Sequence, residues 1–180
     1  MSDIKQKIIK TSKAVAIALK TGWILTIVAM VAILIGIGVL VLASSGVSYS
    51  LQQALTIASQ SASASGITVS NLVVAAGLGI IQLIFIFMIL FTLYQIFSAI
   101  SRDYTPFTEG NGKKMRKAAI WTVGMCVVAC VTDGIADKLL TGEATFGLNF
   151  VWIILAAVIY CIALIFDYGC QLQQQSDETL

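Results

Sequence analysis

The sequence predicts an all-α integral membrane protein, a four-helix bundle with an N-terminal amphipathic helix at the membrane interface. Two observations lead to this prediction: four long stretches contain no charged residue, and nearly all basic residues lie at one set of their ends. The composition agrees, because 58% of the residues are hydrophobic and 11% are charged, whereas soluble domains carry about 25% charged residues. The 180 residues predict a single membrane domain, 1–180.

Four segments have the length and composition of transmembrane helices. About 20 apolar residues, each rising 1.5 Å, cross a hydrocarbon core of about 30 Å. The third segment differs in length, because its charge-free part, residues 118–132, is short for a span unless the helix continues through Asp133. We predict spans at about residues 22–43, 72–97, 117–138 and 146–168.

The basic residues predict the orientation of these spans. Ten of the eleven precede the first span or lie between the second and third spans, and Lys138 is the exception. An even number of spans places both regions on one face, which the positive-inside rule makes cytoplasmic. Both termini are therefore predicted to be cytoplasmic. Residues 44–71, which carry no charge, are predicted to face outward as a ligand-sensing or partner-binding loop or as a mobile connector.

The residues before the first span have more than one interpretation. Four apolar residues fall close to one helical face, with the lysines mostly elsewhere: Ile4, Ile8, Val15 and Leu19. This spacing is typical of a basic amphipathic helix in the headgroup layer. A simple topology anchor is favoured, because the positive-inside rule already accounts for the lysines. A cleaved signal peptide is less favoured, because its apolar region is usually only about 7 to 15 residues long.

Polar residues inside the predicted spans are the default candidates for intramembrane function. They form a predicted polar stripe on the third helix, joined by a glutamine near the middle of the second: Gln82, Thr122, Cys126, Cys130 and Asp133. The stripe either lines a path for an ion or substrate or packs against other helices, and packing is favoured for small residues. We expect Asp133 to be a helix-end carboxylate at the outer interface.

The sequence predicts no enzyme, and no catalytic, cofactor-binding or metal-binding residues. It contains no histidine, so arrangements such as Ser-His-Asp and Cys-His are excluded, and no phosphate-cradling glycine loop is present. Two cysteines on the third helix supply only two soft ligands, where zinc usually takes four. A net charge of +2 does not favour direct binding of nucleic acid.

The two segments predicted to be cytoplasmic carry the clearest recognition signal. The loop opens with Pro106 and Phe107, has Thr108 placed to cap a helix, and continues into a basic helix start. The tail contains the pairs Tyr168-Gly169 and Leu172-Gln173, followed by Asp177 and Thr179. With the span layout, these motifs resemble an uncharacterised bacterial four-span membrane protein family, domain of unknown function 2975. The uncharged outer loop and the cysteines of the third span depart from that family's pattern.

The resemblance implies a multi-pass protein of the bacterial cytoplasmic (inner) membrane. Members are often encoded beside a compact helix-turn-helix regulator, which suggests a cytoplasmic regulator protein as partner. The other predicted partners do not depend on the resemblance: they are the lipid bilayer and, for the transporter alternative below, further copies of this chain in a homo-oligomer. The positions that the resemblance singles out are Pro106, Phe107, Lys114, Arg116, Tyr168, Gly169, Leu172, Gln173, Asp177 and Thr179. The basic helix start either pairs with the acidic tail at Asp177 and Glu178 or presents a docking surface.

Two classes of function therefore remain open. The first is a regulatory or partner-binding component that presents its cytoplasmic loop and C-terminal tail. The second is a small oligomeric transporter or channel subunit whose path follows the polar stripe. A transporter is expected to bury the stripe around a hydrated cavity, whereas a regulator is expected to have a dry bundle and an exposed cytoplasmic patch.

Overall fold

The structure, a computed structural model, describes residues 2–44, 68–103 and 107–178. These ranges contain four helices and no strand: α1 (Ser2–Ser44), α2 (Val69–Asp103), α3 (Glu109–Thr141) and α4 (Phe150–Glu178). The all-α class and the four helices are thereby confirmed. Each helix is long and apolar enough to cross a membrane, and the bounds of the four predicted spans stay a prediction. The outward-facing loop of residues 44–71, predicted to sense a ligand, bind a partner or act as a connector, consists mostly of residues 45–67, which lie outside the described residues.

Side-chain and backbone caps set the helix ends. Thr68 and Thr108 precede α2 and α3, and each accepts a hydrogen bond at Oγ1 from the backbone N–H three residues later, at 3.3 Å. Gly142 ends α3 with a φ of 84°, a backbone conformation that glycine adopts at little cost. Asn149 caps α4, because its Oδ1 accepts a hydrogen bond from Val151 N–H at 3.1 Å.

The observed α4 begins later than the predicted fourth span. The apolar run starts at Phe146, but the helix starts at Phe150. The cap formed by Asn149 accounts for the difference, since an N-cap residue has non-helical backbone angles. The residues before it form a non-helical connection in which Thr145 Oγ1 donates a hydrogen bond to Asp137 Oδ2.

The α1 helix runs without a break from the lysine-rich region into the first apolar stretch. In its basic part Ser12 and Ala16 are buried, each only 7% exposed, whereas Ile8 is 42% exposed. Two other residues of the predicted apolar face, Val15 and Leu19, are half-buried. The placement of this part at a membrane interface stays a prediction.

The chain divides into two compact units. Unit 1 comprises Met1–Leu25, Phe85–Cys126 and Asn149–Leu180, and unit 2 comprises Thr26–Ile84 and Val127–Leu148. Unit 1 thus contains parts of all four helices, packed as a helical bundle. That the whole chain forms a single domain stays a prediction.

The core of unit 1 joins α2, α3 and α4. Three alanines in it are at most 4% exposed, which lets the helix backbones approach closely. The core consists of Ile96, Ile100, Met115, Ala118, Ala119, Ile159 and Ala163, with Leu93, Ile162 and Phe166 packed against it.

Aromatic contacts attach α1 and α3 to α2 within unit 1. The ring centroid of Trp23 lies 6.0 Å from that of Phe87 and 6.0 Å from that of Phe91, both in edge-to-face geometry. Phe85 meets Trp121 at 5.5 Å. A Cβ atom at Gly124 would lie 2.8 Å from the Phe85 ring, so this close approach requires glycine. Pairs of this kind contribute about 0.5–1.5 kcal/mol each beyond burial.

Candidate functional site

The two segments that the sequence singled out, the loop before α3 and the tail of α4, meet in unit 1. Arg116 of α3 forms an ion pair with Asp167 of α4, Nη2 to Oδ2. The two side chains are 50% and 28% exposed. Gly112 makes room for this contact, because a Cβ atom there would overlap the Asp167 carboxylate. The pair therefore joins the basic start of α3 to α4.

The acidic member of this ion pair, Asp167, was not singled out by the sequence. The predicted pairing of the basic residues with Asp177 and Glu178 stays a prediction, because the side chain of Asp177 lies outside the described residues. Lys113 pairs with Glu109, one turn earlier on its own helix, at 3.3 Å. That pair is well exposed, and such i,i+4 pairs contribute only about 0.3–0.5 kcal/mol.

A cavity of about 360 Å³ surrounds the Arg116–Asp167 pair. We call it the ionic pocket; it is lined by Glu109, Lys113, Arg116, Asp167, Cys170, Gln171 and Gln174. Two cations, two carboxylates and two amides give it a polar wall with hydrogen-bond donors and acceptors. The pocket is therefore suited to a charged or polar group rather than to an apolar ligand.

A second cavity, of about 380 Å³, lies on another face of α4. We call it the Phe107 groove; it is lined by Phe107, Ile165, Tyr168, Gly169, Leu172, Gln173 and Ser176. The Phe107 ring packs edge-on against Phe166, with centroids 5.6 Å apart. It also covers Gly169, where a Cβ atom would overlap the ring. The loop is thus clamped to α4 by one aromatic side chain.

The structure brings most of the described candidate residues together. Five of the ten line the Phe107 groove: Phe107, Tyr168, Gly169, Leu172 and Gln173. Arg116 lines the ionic pocket, and Lys114 lines neither cavity. Pro106, Thr179 and the side chain of Asp177 lie outside the described residues.

Sequence reasoning missed several residues of the ionic pocket, notably its α4 wall. That wall consists of Asp167, Cys170, Gln171 and Gln174. These residues follow the spacing i, i+3, i+4, i+7, which places them on one helical face. This spacing was the signal in the sequence that could have grouped the four residues. It indicates a shared face only if the tail is known to be helical.

The part of the polar stripe that lies in unit 1 makes local contacts. Thr122 is fully buried, and its Oγ1 donates a hydrogen bond to the carbonyl of Ala118 at 2.9 Å. The Cys126 thiol, also buried, points to the carbonyl of Asn149 at 3.8 Å. Both polar groups are thus satisfied by backbone carbonyls.

The part of the stripe in unit 2 forms a contact between α2 and α3. Gln82 Nε2 donates hydrogen bonds to Thr132 Oγ1 and to Asp133 Oδ1, each at 2.6 Å. Cys130 is half-buried. The expectation that Asp133 ends its helix is wrong, because α3 continues to Thr141. The carboxylate lies within the helix and is held by the glutamine of α2.

The described residues show no arrangement that would hold a metal ion. None of their groups of His, Cys, Asp and Glu has three members suitably placed. The four cysteines are free thiols. No family model, no curated protein and no solved structure matches this chain. The resemblance to the four-span bacterial family therefore stays a prediction.

Proposed function

We propose that this chain is a small multi-pass regulatory protein of a bacterial cytoplasmic membrane, and that it binds a cytoplasmic partner protein at the ionic pocket. The observation that carries the proposal is the meeting of the loop and the tail around that pocket. Both segments follow predicted spans on the side where the lysines and arginines cluster. The pocket would therefore open to the cytoplasm.

The surface of the helices supports membrane embedding. Large apolar side chains are exposed along α1, as Leu25 at 66% and Ile35 at 62% illustrate. Soluble monomers rarely expose contiguous apolar patches beyond a few hundred Å², and lipid would cover this surface. The basic part of α1, with Lys7, Lys10 and Lys13 exposed, would lie near anionic headgroups and fix the topology.

The pocket is electrically balanced, because Lys113 and Arg116 are paired with Glu109 and Asp167. Its cations nevertheless keep donors for an acidic group on the partner. A guanidinium has five N–H donors, and the contact with Asp167 occupies Nη2. Lys113 lies on the same wall, and its pair with Glu109 is exposed. A carboxylate from the partner would therefore bind the remaining donors of two cations, in exchange with the two carboxylates of the pocket.

Co-purification from native membranes tests this proposal. The intact chain is expected to retain a cytoplasmic protein, which is lost on truncation after Tyr168, because truncation removes Cys170, Gln171 and Gln174. Lys113→Glu reverses one charge in the pocket and should reduce recovery at least about tenfold, since like charges in an interface cost several kcal/mol.

Lys10→Glu is the matched control, because it makes the same charge change on α1, outside the pocket. Recovery should stay near that of the intact chain. The proposal is contradicted if the intact chain retains no cytoplasmic protein, or if the Lys113 and Lys10 variants lose it equally.

The contacts of the polar stripe do not favour the alternative, a transporter or channel subunit. The hydroxyl of Thr122 and the thiol of Cys126 face backbone carbonyls within unit 1. Neither residue lines the ionic pocket or the Phe107 groove. Packing, the favoured interpretation from the sequence, accounts for both side chains without a conducting path.

A further inference from the structure

The two ion pairs of the ionic pocket differ in how far water reaches them. The side chains of Lys113 and Glu109 are 77% and 67% exposed, so water solvates either one without its partner. Asp167 is only 28% exposed, and one of its carboxylate oxygens lies against Gly112, where a Cβ atom would overlap it. Asp167 is therefore the charge of the pocket that depends most on its partner, Arg116.

This dependence limits the small ligands that suit the pocket. A ligand with only a negative charge would either displace Asp167 from Arg116 or set a second carboxylate beside it, and both outcomes are unfavourable. A partner protein can offset that cost with contacts outside the pocket, whereas a small ligand cannot. A ligand with both charges gives each member of the pair a new partner. The pair thus favours a zwitterion.

The contact between Arg116 and Asp167 also limits the distance between the charges of the ligand. Nη2 and Oδ2 of the pair touch, so a carboxylate bound to the guanidinium lies next to an ammonium bound to Asp167. An α-amino acid has this arrangement, because a single carbon atom joins its carboxylate and its ammonium. Both groups form charge-assisted hydrogen bonds with the pair.

The rest of the α4 wall supplies uncharged polar groups. Gln171 and Gln174 follow Asp167 at positions i+4 and i+7, which places them on the same helical face, and both line the pocket. Each side-chain amide has two N–H donors and a carbonyl acceptor. These amides would hydrogen-bond with a polar, uncharged side chain of the ligand.

The volume of the pocket indicates a ligand of this size. It measures about 360 Å³, near the lower end of the range of about 300–1,000 Å³ that is typical of small-molecule sites. A free amino acid is small enough to enter it, and its groups match the charged and the amide parts of the wall.

We propose that the ionic pocket binds a free α-amino acid with a polar, uncharged side chain. Its carboxylate accepts hydrogen bonds from Arg116, and its ammonium donates to Asp167. The amino acid and the acidic group of the cytoplasmic partner compete for Arg116, so the amino acid releases the partner. Binding of the amino acid depends on the pocket alone, whereas release of the partner rests on the proposed function.

Calorimetric titration of the intact chain in detergent with L-glutamine tests the binding. Two matched compounds each lack one charged group: glutaramate has no ammonium, and γ-aminobutyramide has no carboxylate. Each is expected to bind at least about tenfold more weakly than L-glutamine, because charge-assisted hydrogen bonds are lost. No binding of L-glutamine, or equal binding of glutaramate, would overturn the inference.

Substitutions in the pocket test where the amino acid binds. Asp167→Asn removes the acceptor of the ammonium and frees Arg116, so it should weaken the binding of L-glutamine at least about tenfold and strengthen that of glutaramate. A purely structural effect would weaken both, and that result would contradict the assignment.

A second pair of variants leaves the charges unchanged. Gln174→Leu removes an amide from the pocket and should weaken the binding of L-glutamine at least about threefold. Gln6→Leu makes the same change on α1, outside the pocket, and should leave the affinity unchanged. Equal effects of these two substitutions would contradict the site.

Co-purification in the presence of L-glutamine separates this inference from the proposed function. Recovery of the cytoplasmic partner should fall at least about fivefold in saturating L-glutamine, because two ligands of one site exclude each other by mass action. γ-Aminobutyramide, which has no carboxylate for Arg116, should leave recovery unchanged. Unchanged recovery with L-glutamine would contradict the competition. Absence of any partner would contradict the proposed function alone, because calorimetry measures the binding of the amino acid without a partner.

Discussion

At the scale of single residues, two glycines determine how the loop and tail meet. Gly112 leaves space for the Asp167 carboxylate, and Gly169 leaves space for the Phe107 ring. Both contacts are closer than a Cβ atom would permit, so the ion pair and the aromatic clamp depend on the absence of a side chain. Neither glycine is required by its backbone angles, because both lie in helices.

Gly169→Ala is expected to destabilise the protein by about 1–3 kcal/mol, because overpacking forces a neighbouring group to move. The displaced group is the Phe107 ring. Thermal unfolding in detergent, compared with the unmodified protein, measures the change. Gly36→Ala is the control, because it also lies in a helix but has nothing within 4 Å of the added Cβ.

The control should be neutral or stabilising by up to about 1 kcal/mol, since alanine favours helix more than glycine does. A Gly169 variant that unfolds at the same temperature as the Gly36 variant would show that Phe107 does not depend on this space.

At the scale of elements, charge-free runs predict where helices exist but not where they end. The four runs each became a helix. The ends depend on caps and contacts. Asn149 caps α4 and so fixes its start at Phe150. The α3 helix continues past Asp133 to Thr141, where Gly142 ends it. Such local interactions compete with the apolar pattern, so the pattern alone does not reveal them.

The same reasoning explains which site residues were predictable. Phe107, Gly169 and Leu172 belong to short motifs that stand out in the sequence. Asp167 and Gln171 do not, because their role depends on the register of α4 against α3, a tertiary property. The sequence therefore indicated the two segments of the site but not the carboxylate that joins them.

The contact between α2 and α3 in unit 2 leads to a prediction at this scale. Gln82→Leu removes the amide that donates to Asp133, and Asp133→Leu removes the acceptor. The two changes are expected to be non-additive, with a coupling of about 0.6–1.7 kcal/mol, the range for hydrogen bonds between membrane helices. Unfolding of both single variants and the double variant in detergent or bicelles measures it.

The double variant should therefore lose less stability than the sum of the single variants. Strict additivity would mean that the Gln82–Asp133 contact makes no net contribution to the free energy of unfolding. The presence of polar residues on α3 would then have to be explained in another way.

At the scale of the whole molecule, the predicted topology follows from the distribution of charge. Ten of the eleven basic residues lie in the two regions that even-numbered spans place together. The predicted topology places the loop and tail that form the ionic pocket on that same side. The proposed partner and the role of the basic part of α1 both depend on that arrangement.

Labelling of single cysteines in intact cells is the most direct test of this arrangement. In a cysteine-free background, a membrane-impermeant maleimide is applied to Lys7→Cys, Lys113→Cys and Glu143→Cys. Glu143→Cys is expected to react in intact cells, whereas Lys7→Cys and Lys113→Cys are expected to react only after permeabilisation. Reaction of Lys7→Cys and Lys113→Cys from opposite sides would contradict the predicted topology.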